Sequence, residues 1–173
     1  MERDAPDHAQ WTDKEMLRMC KKPNLALSVI LCLSMLSALA AQPDERYIVL
    51  PQSKVEQLPL CSRLGPKVAG IWSPSAQDVL DLESKLGNIS QLRVGGAVSG
   101  EHVKHPELSL RQYLGIVVGD RKLIYINGIP NDLAPKDWHE KFVTICDGGA
   151  SVWGALYDPQ TKTFSDLEAN GVA

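Results

Sequence analysis

Along the second half of the chain, apolar residues fall into short blocks separated by turn residues. Residues 112–118 and 123–129 are rich in β-branched and aromatic side chains, with Gly119-Asp120-Arg121 between them. That composition predicts a β-hairpin. With the turn centred on Asp120-Arg121, Ile116 would face Tyr125 and Val117 would face Ile124, and a one-residue shift would exchange the two faces. Residues 142–146 read as a third strand, Asp147-Gly148-Gly149 as a turn, 151–157 as a fourth strand and 163–169 as a fifth. Asp158-Pro159-Gln160-Thr161 has the make-up of a β-turn, and 131–141 is a polar connection.

Upstream the period changes. Val79, Leu82 and Leu86 fall on one face of a helix, and Ala76 extends that face, while Gln77, Asp81 and Lys85 fall opposite;. The spacing predicts a helix over 74–86. Ser73 is its expected N-cap, Pro74 its first residue, Asp78 its dipole partner and Gly87-Asn88 its stop. Residues 42–66 carry Pro43, Pro51, Pro59 and Pro66, which interrupt regular structure. Short strands are expected at 47–50 and 68–72. A helix followed by successive strands gives an α+β expectation: one main helix packed on an antiparallel meander sheet of about four to five strands.

The first 40 residues follow a different grammar. Lys21 and Lys22 precede an uncharged apolar run from 25 to 39, and Ala38-Leu39-Ala40 supplies small residues before the polar stretch that begins Ala41-Gln42-Pro43. This is the plan of a secretory signal cleaved between Ala40 and Ala41. The run is shorter than the roughly 20 residues a spanning helix needs; a retained anchor is the alternative. Cys32 lies inside the run, which is a poor match to a lipoprotein box. The acidic residues among the first 15 point to translation starting at Met16 or Met19; a long, acidic but functional leader is the alternative. The expected organisation is therefore a signal peptide at 1–40, a proline-interrupted segment at 41–66 and an α+β domain at 67–173.

Composition adds bounds rather than a function. The 173 residues are 44% hydrophobic and 23% charged, with a formal net charge of −3. No basic excess recommends nucleic acid or an anionic membrane as a partner. Cleavage would leave Cys61 and Cys146 as the two cysteines of the exported chain, and one intramolecular bridge is the expected outcome in an oxidising compartment. Two free thiols or a dimer link are the alternatives.

Three groups could carry chemistry. Glu101, His102 and His105 offer potential metal ligands, with His139 or Asp147 as distant additions, but no HExxH spacing is present. Cys146 could act as a nucleophile with His139 as base, although Cys61 is its competing partner. The aromatic residues Trp72, Tyr113, Tyr125, Trp138, Trp153 and Tyr157 could form a binding surface or a core; Trp153 and Tyr157 are even-spaced and would share a strand face. Gly115 and Gly154 inside predicted strands mark a bulge or the close approach of another group. Gly148-Gly149 is not a phosphate loop, since no GKS or GKT follows. No catalytic, metal-binding or cofactor-binding residue is expected.

Arg111-Gln112-Tyr113 with GIVV at 115–118, IYINGIP at 124–130, CDGG at 146–149, Trp153-Gly154, Tyr157-Asp158-Pro159 and Phe164 resembles a group of small uncharacterised secreted or periplasmic proteins of Gram-negative bacteria. Trp72-Ser73-Pro74 ahead of Asp78 and Leu82-Glu83 fits the same pattern, which covers roughly 70–171. In it Asp147, Gly148, Gly149, Trp153 and Tyr157 form a structural signature. The resemblance implies a bacterial exported protein and no activity. The leading expectation is a non-enzymatic periplasmic or secreted module that binds an unknown protein or small ligand. The alternatives are a metal-dependent or hydrolytic enzyme using His102, His105 or His139, and an envelope assembly protein.

Overall fold

The computed structural model describes residues 46–54, 57–96 and 100–171. The expected signal peptide and its Ala40–Ala41 junction lie outside them. In chain order the elements are β1 (Tyr47–Val49), β2 (Gly70–Trp72), α1 (Ala76–Lys85), β3 (Gly95–Gly96), β4 (Leu110–Val118), β5 (Arg121–Ile129), β6 (Trp153–Asp158) and β7 (Thr163–Ala169), with short 3-10 turns between them.

The central hairpin forms where its composition predicts, two residues out of the expected register. Val118 pairs with Arg121, Val117 with Lys122 and Ile116 with Leu123. The loop is therefore Gly119-Asp120, with Gly119 at φ 63°, as a glycine-first two-residue hairpin requires. A slip of two keeps every side chain on its expected face, because side chains alternate with period two.

One helix on a sheet confirms the α+β class, but the sheet is not an antiparallel meander of four or five strands. Among the described residues it has seven strands and is mixed, in the order β1-β4-β5-β6-β7-β3, with β2 also paired to β4. The run β4 to β7 is antiparallel throughout. The departures come from the two edges, where β1 joins β4 and β3 joins β7 in parallel. Both edge strands are very short, which limits the open edge they present.

Residues 142–146 do not form the expected third strand. The amide of Val143 donates to Oε1 of Gln112 at 2.9 Å, and its carbonyl accepts from Nδ2 of Asn127 at 3.0 Å. Side chains thus take the backbone groups that a strand would offer to a ladder.

Helix α1 starts later than predicted. Its N-cap is Ser75, not Ser73, because Ser75 and Asp78 have the three-residue spacing of a capping box;. The Ser75 amide donates to Asp78 at 2.9 Å, and the Asp78 amide donates to the Ser75 hydroxyl at 3.2 Å. Pro74 stays outside the helix, against Gly115. Ala76 is exposed rather than part of the apolar face. At the other end the chain tightens into a 3-10 turn over Leu86–Gln91 and buries Leu86 and Ile89.

The sheet has two dissimilar faces. Val79, Leu82, Leu86 and Ile89 pack on Tyr113, Ile124, Ile126, Trp153, Ala155 and Tyr157. Trp153 and Tyr157 thus share the helix-side face, as their spacing predicts. The opposite face carries Leu114, Ile116, Leu123, Tyr125 and Leu156. It is covered by irregular chain in place of a helix, with Leu58, Leu60 and Phe142 packed against it.

Candidate functional site

The expected bridge forms: Cys61 and Cys146 are disulfide-bonded, their Cα atoms 5.2 Å apart. Cys146 is therefore no nucleophile. The bond ties the proline-rich segment around residue 61 to the connection that precedes β6. The Gly148-Gly149 corner follows it in the chain. Both glycines have positive φ, and Asp147 forms a β-bridge with Gly171.

The histidines are not brought together. His102 and His105 are exposed, with ring contacts to the Ser90 carbonyl and to Glu107 at 3.1 Å each. His139 is exposed beside Glu140 and meets Trp138 edge-on. Among the described residues no three His, Cys, Asp or Glu side chains are grouped to hold a metal ion, and no helix is long and apolar enough to cross a membrane.

Most of the aromatic residues are structural. Trp72 donates its indole N–H to the Ile116 and Leu123 carbonyls at 3.1 and 3.0 Å. Trp138 packs beside Leu110, Ile129 and Val143. Tyr113 lies under the helix, where its hydroxyl donates to Glu83 and accepts from Arg111. Arg111 also forms an ion pair with Glu83 at 3.0 Å. Burial opposes the Arg111 charge, yet Tyr113 and Glu83 together hold its pKa above the ordinary value. Burial pushes the Tyr113 phenol well above its own. This cluster is closed, with a complementary partner for each charge.

Tyr125 is different. It stands on the opposite face, at the floor of a cleft of about 320 Å³ lined by Leu60, Arg63, Val118, Gly154, Leu156 and Glu168, among others. Arg63 is 4% exposed and Tyr125 3%. Nη1 of Arg63 and the hydroxyl of Tyr125 are both buried without a hydrogen-bond partner among the described residues. A buried polar group in this state is uncommon and costs about 1–3 kcal/mol.

The rest of the Arg63 guanidinium is fixed. Nε donates to the Leu60 carbonyl at 3.3 Å, and Nη2 donates to the Pro59 carbonyl and to Oδ1 of Asn127, the latter at 3.0 Å. Asn127 is held in turn by Gln112, its cross-strand neighbour on the same face, at 3.0 Å. Gln112 donates to the Trp138 and Lys141 carbonyls. A buried polar chain thus crosses the face and holds both of the segments that the disulfide joins.

Glu168 forms the facing wall. Opposite Ala155 strand β7 has two residues, Asp166 and Leu167, where the register shifts by one. Asp166 sits there at φ 48°. Such a bulge re-aims the side chains beyond it, and Glu168 then pairs with Gly154 on the cleft side. Its Oε2 accepts from the amides of Leu64 and Gly65 at 2.7 and 3.3 Å. That fixes the loop that carries Arg63 and leaves Leu64 83% exposed at the rim.

Gly154 makes the arrangement possible. A Cβ there would lie 2.5 Å from Nη1 of Arg63 and 2.9 Å from the Tyr125 hydroxyl. Gly115 plays a similar part against the Trp72 carbonyl and Pro74. The sequence marks both as positions of close approach, but nothing local shows that the visitor at Gly154 is Arg63, which lies 91 residues away by numbering.

Burial draws the Arg63 guanidinium below its ordinary pKa, against the pull of Tyr125 and Glu168. Burial also pushes the Tyr125 phenol up to about 12, with Arg63 opposing. A guanidinium donates by its chemistry, and the Tyr125 phenol, raised in pKa, stays protonated at neutral pH and can donate;. Their environment suits recognition of an oxygen-bearing ligand, and Asp166 and Glu168 add two carboxylates to the lining. The chain matches no protein-family model, no curated protein and no solved structure.

Proposed function

We propose that this is an exported, non-enzymatic protein that binds a small ligand in the cleft beside Arg63 and Tyr125. The observation that carries the reading is the pair of buried donors in residues that line the cleft, neither with a hydrogen-bond partner among the described residues. Ligand sites are typically concave and largely apolar, with a few fixed polar groups. Here Leu60, Val118 and Leu156 supply the apolar lining, and the Asn127–Gln112 chain fixes the arginine.

Export to the periplasm or beyond the cell is supported by the signal grammar of residues 1–40 and by a disulfide, which persists in oxidising compartments. Mass spectrometry of the exported protein should find Ala41 at the N-terminus; an intact leader in the mature pool would contradict this. The three histidines of the alternative enzyme reading line no part of the cleft.

A thermal-shift screen of the purified oxidised protein against a small-molecule library tests the ligand reading. A ligand at a hundred times its Kd should stabilise the fold by about 2.7 kcal/mol. Gly154→Ala places a methyl group between the two donors, so it should abolish the shift caused by each hit. Hits that stabilise Gly154→Ala as well as the parent would place binding elsewhere and overturn the reading.

A further inference from the structure

We propose that the ligand of this cleft is a small organic monoanion, a carboxylate with a compact apolar body, held by Arg63 and Tyr125. The inference rests on the cleft being a ligand site and adds the chemistry of what fills it.

The first ground is charge. Every hydrogen-bond acceptor on Arg63 is neutral: the Pro59 and Leu60 carbonyls and the Asn127 amide oxygen. The carboxylate of Glu168 faces the same cleft but is engaged by the Leu64 and Gly65 amides. Among the described residues Arg63 forms no ion pair. A buried cation without a direct counter-charge is costly, and an anion brought by a ligand would compensate it.

The second ground is geometry. A guanidinium only donates, and a protonated phenol can donate. The free Nη1 and the Tyr125 hydroxyl both crowd the point where a Gly154 Cβ would stand. Two donors held this close together can be met by the two oxygens of one carboxylate, in charge-assisted hydrogen bonds that are roughly twice as strong as neutral ones.

The third ground is what else lines the cleft. Asp166 and Glu168 lie among its walls and would repel a dianion more strongly than a monoanion. Arg121, also in the lining, is partly offset by Asp158 at 3.7 Å. Leu60, Val118 and Leu156 leave an apolar surface for the body of the ligand. A volume of about 320 Å³ is at the small end of ligand pockets, which begin near roughly 300 Å³.

The test is an amide NMR titration of the purified, oxidised, 15N-labelled protein. The probes are acetate, butyrate and phenylacetate, each beside its neutral amide, together with inorganic phosphate. At least one monocarboxylate should move the Gly154 and Gly65 signals saturably, while its amide and phosphate leave them in place. Tyr125→Phe, which keeps the ring, should weaken that carboxylate by roughly tenfold to a hundredfold, the loss of one charged hydrogen bond. Arg63→Lys should weaken it further, and near-UV circular dichroism reports whether that variant keeps its tertiary packing. Equal or stronger response to an amide or to phosphate would overturn the anion assignment and leave the cleft as a ligand site. The same holds if no carboxylate binds but a neutral library hit moves these signals. Silence from all probes, with no hit that Gly154→Ala abolishes, would remove both proposals together.

Discussion

The two faces of the sheet bury polar groups in opposite ways. Under the helix, Arg111, Glu83 and Tyr113 form a closed cluster in which the phenol has both a donor and an acceptor beside it. On the far face Gln112, Asn127 and Arg63 form a chain that ends in an unpartnered Nη1 beside an unpartnered Tyr125 hydroxyl. Both arrangements contain a buried arginine and a buried tyrosine, but among the described residues only the first leaves none of their side-chain polar atoms unpartnered; elsewhere on the helix-side face the Tyr157 hydroxyl is also buried without a partner. The covering differs too. A capped helix lies over one face, whereas the other is closed by irregular chain tied down by a disulfide, by Glu168 and by the Ser62 hydroxyl, which accepts from Gly171 at 2.8 Å. On the proposed reading, the contrast separates a polar cluster that is satisfied within the fold from one that has donors left for a ligand.

The largest expected effect falls on the irregular face. Replacing Cys61 and Cys146 together by serine opens a loop of sequence separation 85, which in the chain-entropy model costs about 4–5 kcal/mol. Ligand binding should fail in this variant under conditions where the helix-side core is still folded, because the 59–66 segment loses its tether. Urea melts followed by far-UV circular dichroism, together with the thermal-shift assay, separate the two outcomes. Unchanged binding in the double-serine variant would mean that the disulfide does not hold the cleft.

The helix side gives the next effect. Leu82 is fully buried and Leu80 is exposed on the same helix. Leu82→Ala should cost about 2–5 kcal/mol and Leu80→Ala about 0.5 kcal/mol or less. Urea midpoints decide it, and similar losses for both would place the helix on the wrong face. Neither substitution touches the cleft, so ligand affinity measured well below the melting transition should be unchanged in both.

The two faces also differ in how far they can be read from sequence. Helix-side packing is local in origin. The spacing of Val79, Leu82 and Leu86 and the alternation of Trp153 and Tyr157 place those residues correctly, because periods of 3.6 and 2 map directly onto faces. The cleft is assembled from distant pieces. Arg63 sits in a proline-rich stretch without periodicity, Asn127 reads as one polar residue in an apolar strand, and their hydrogen bond spans 64 residues. Glu168 enters only through a bulge at Asp166 that no turn signature announces. Gly154 is the one visible trace: a glycine within a strand marks close approach but does not say of what. Residues 142–146 mislead for a related reason, since their apolar composition suits a strand but Gln112 and Asn127 take the Val143 backbone groups.

The most direct measurement is one substitution made on each face. Tyr113→Phe and Tyr125→Phe each remove a single buried hydroxyl, and urea unfolding without ligand compares them. Tyr113→Phe strips hydrogen bonds to charged groups and should cost about 1.5–3 kcal/mol. Tyr125→Phe removes a hydroxyl that has no partner among the described residues. Its stability should therefore stay within about 0.5 kcal/mol of the parent or rise by up to about 1 kcal/mol. Equal destabilisation by the two substitutions would mean that the Tyr125 hydroxyl is already satisfied in the free protein, and the cleft would then have no donor in reserve for a ligand.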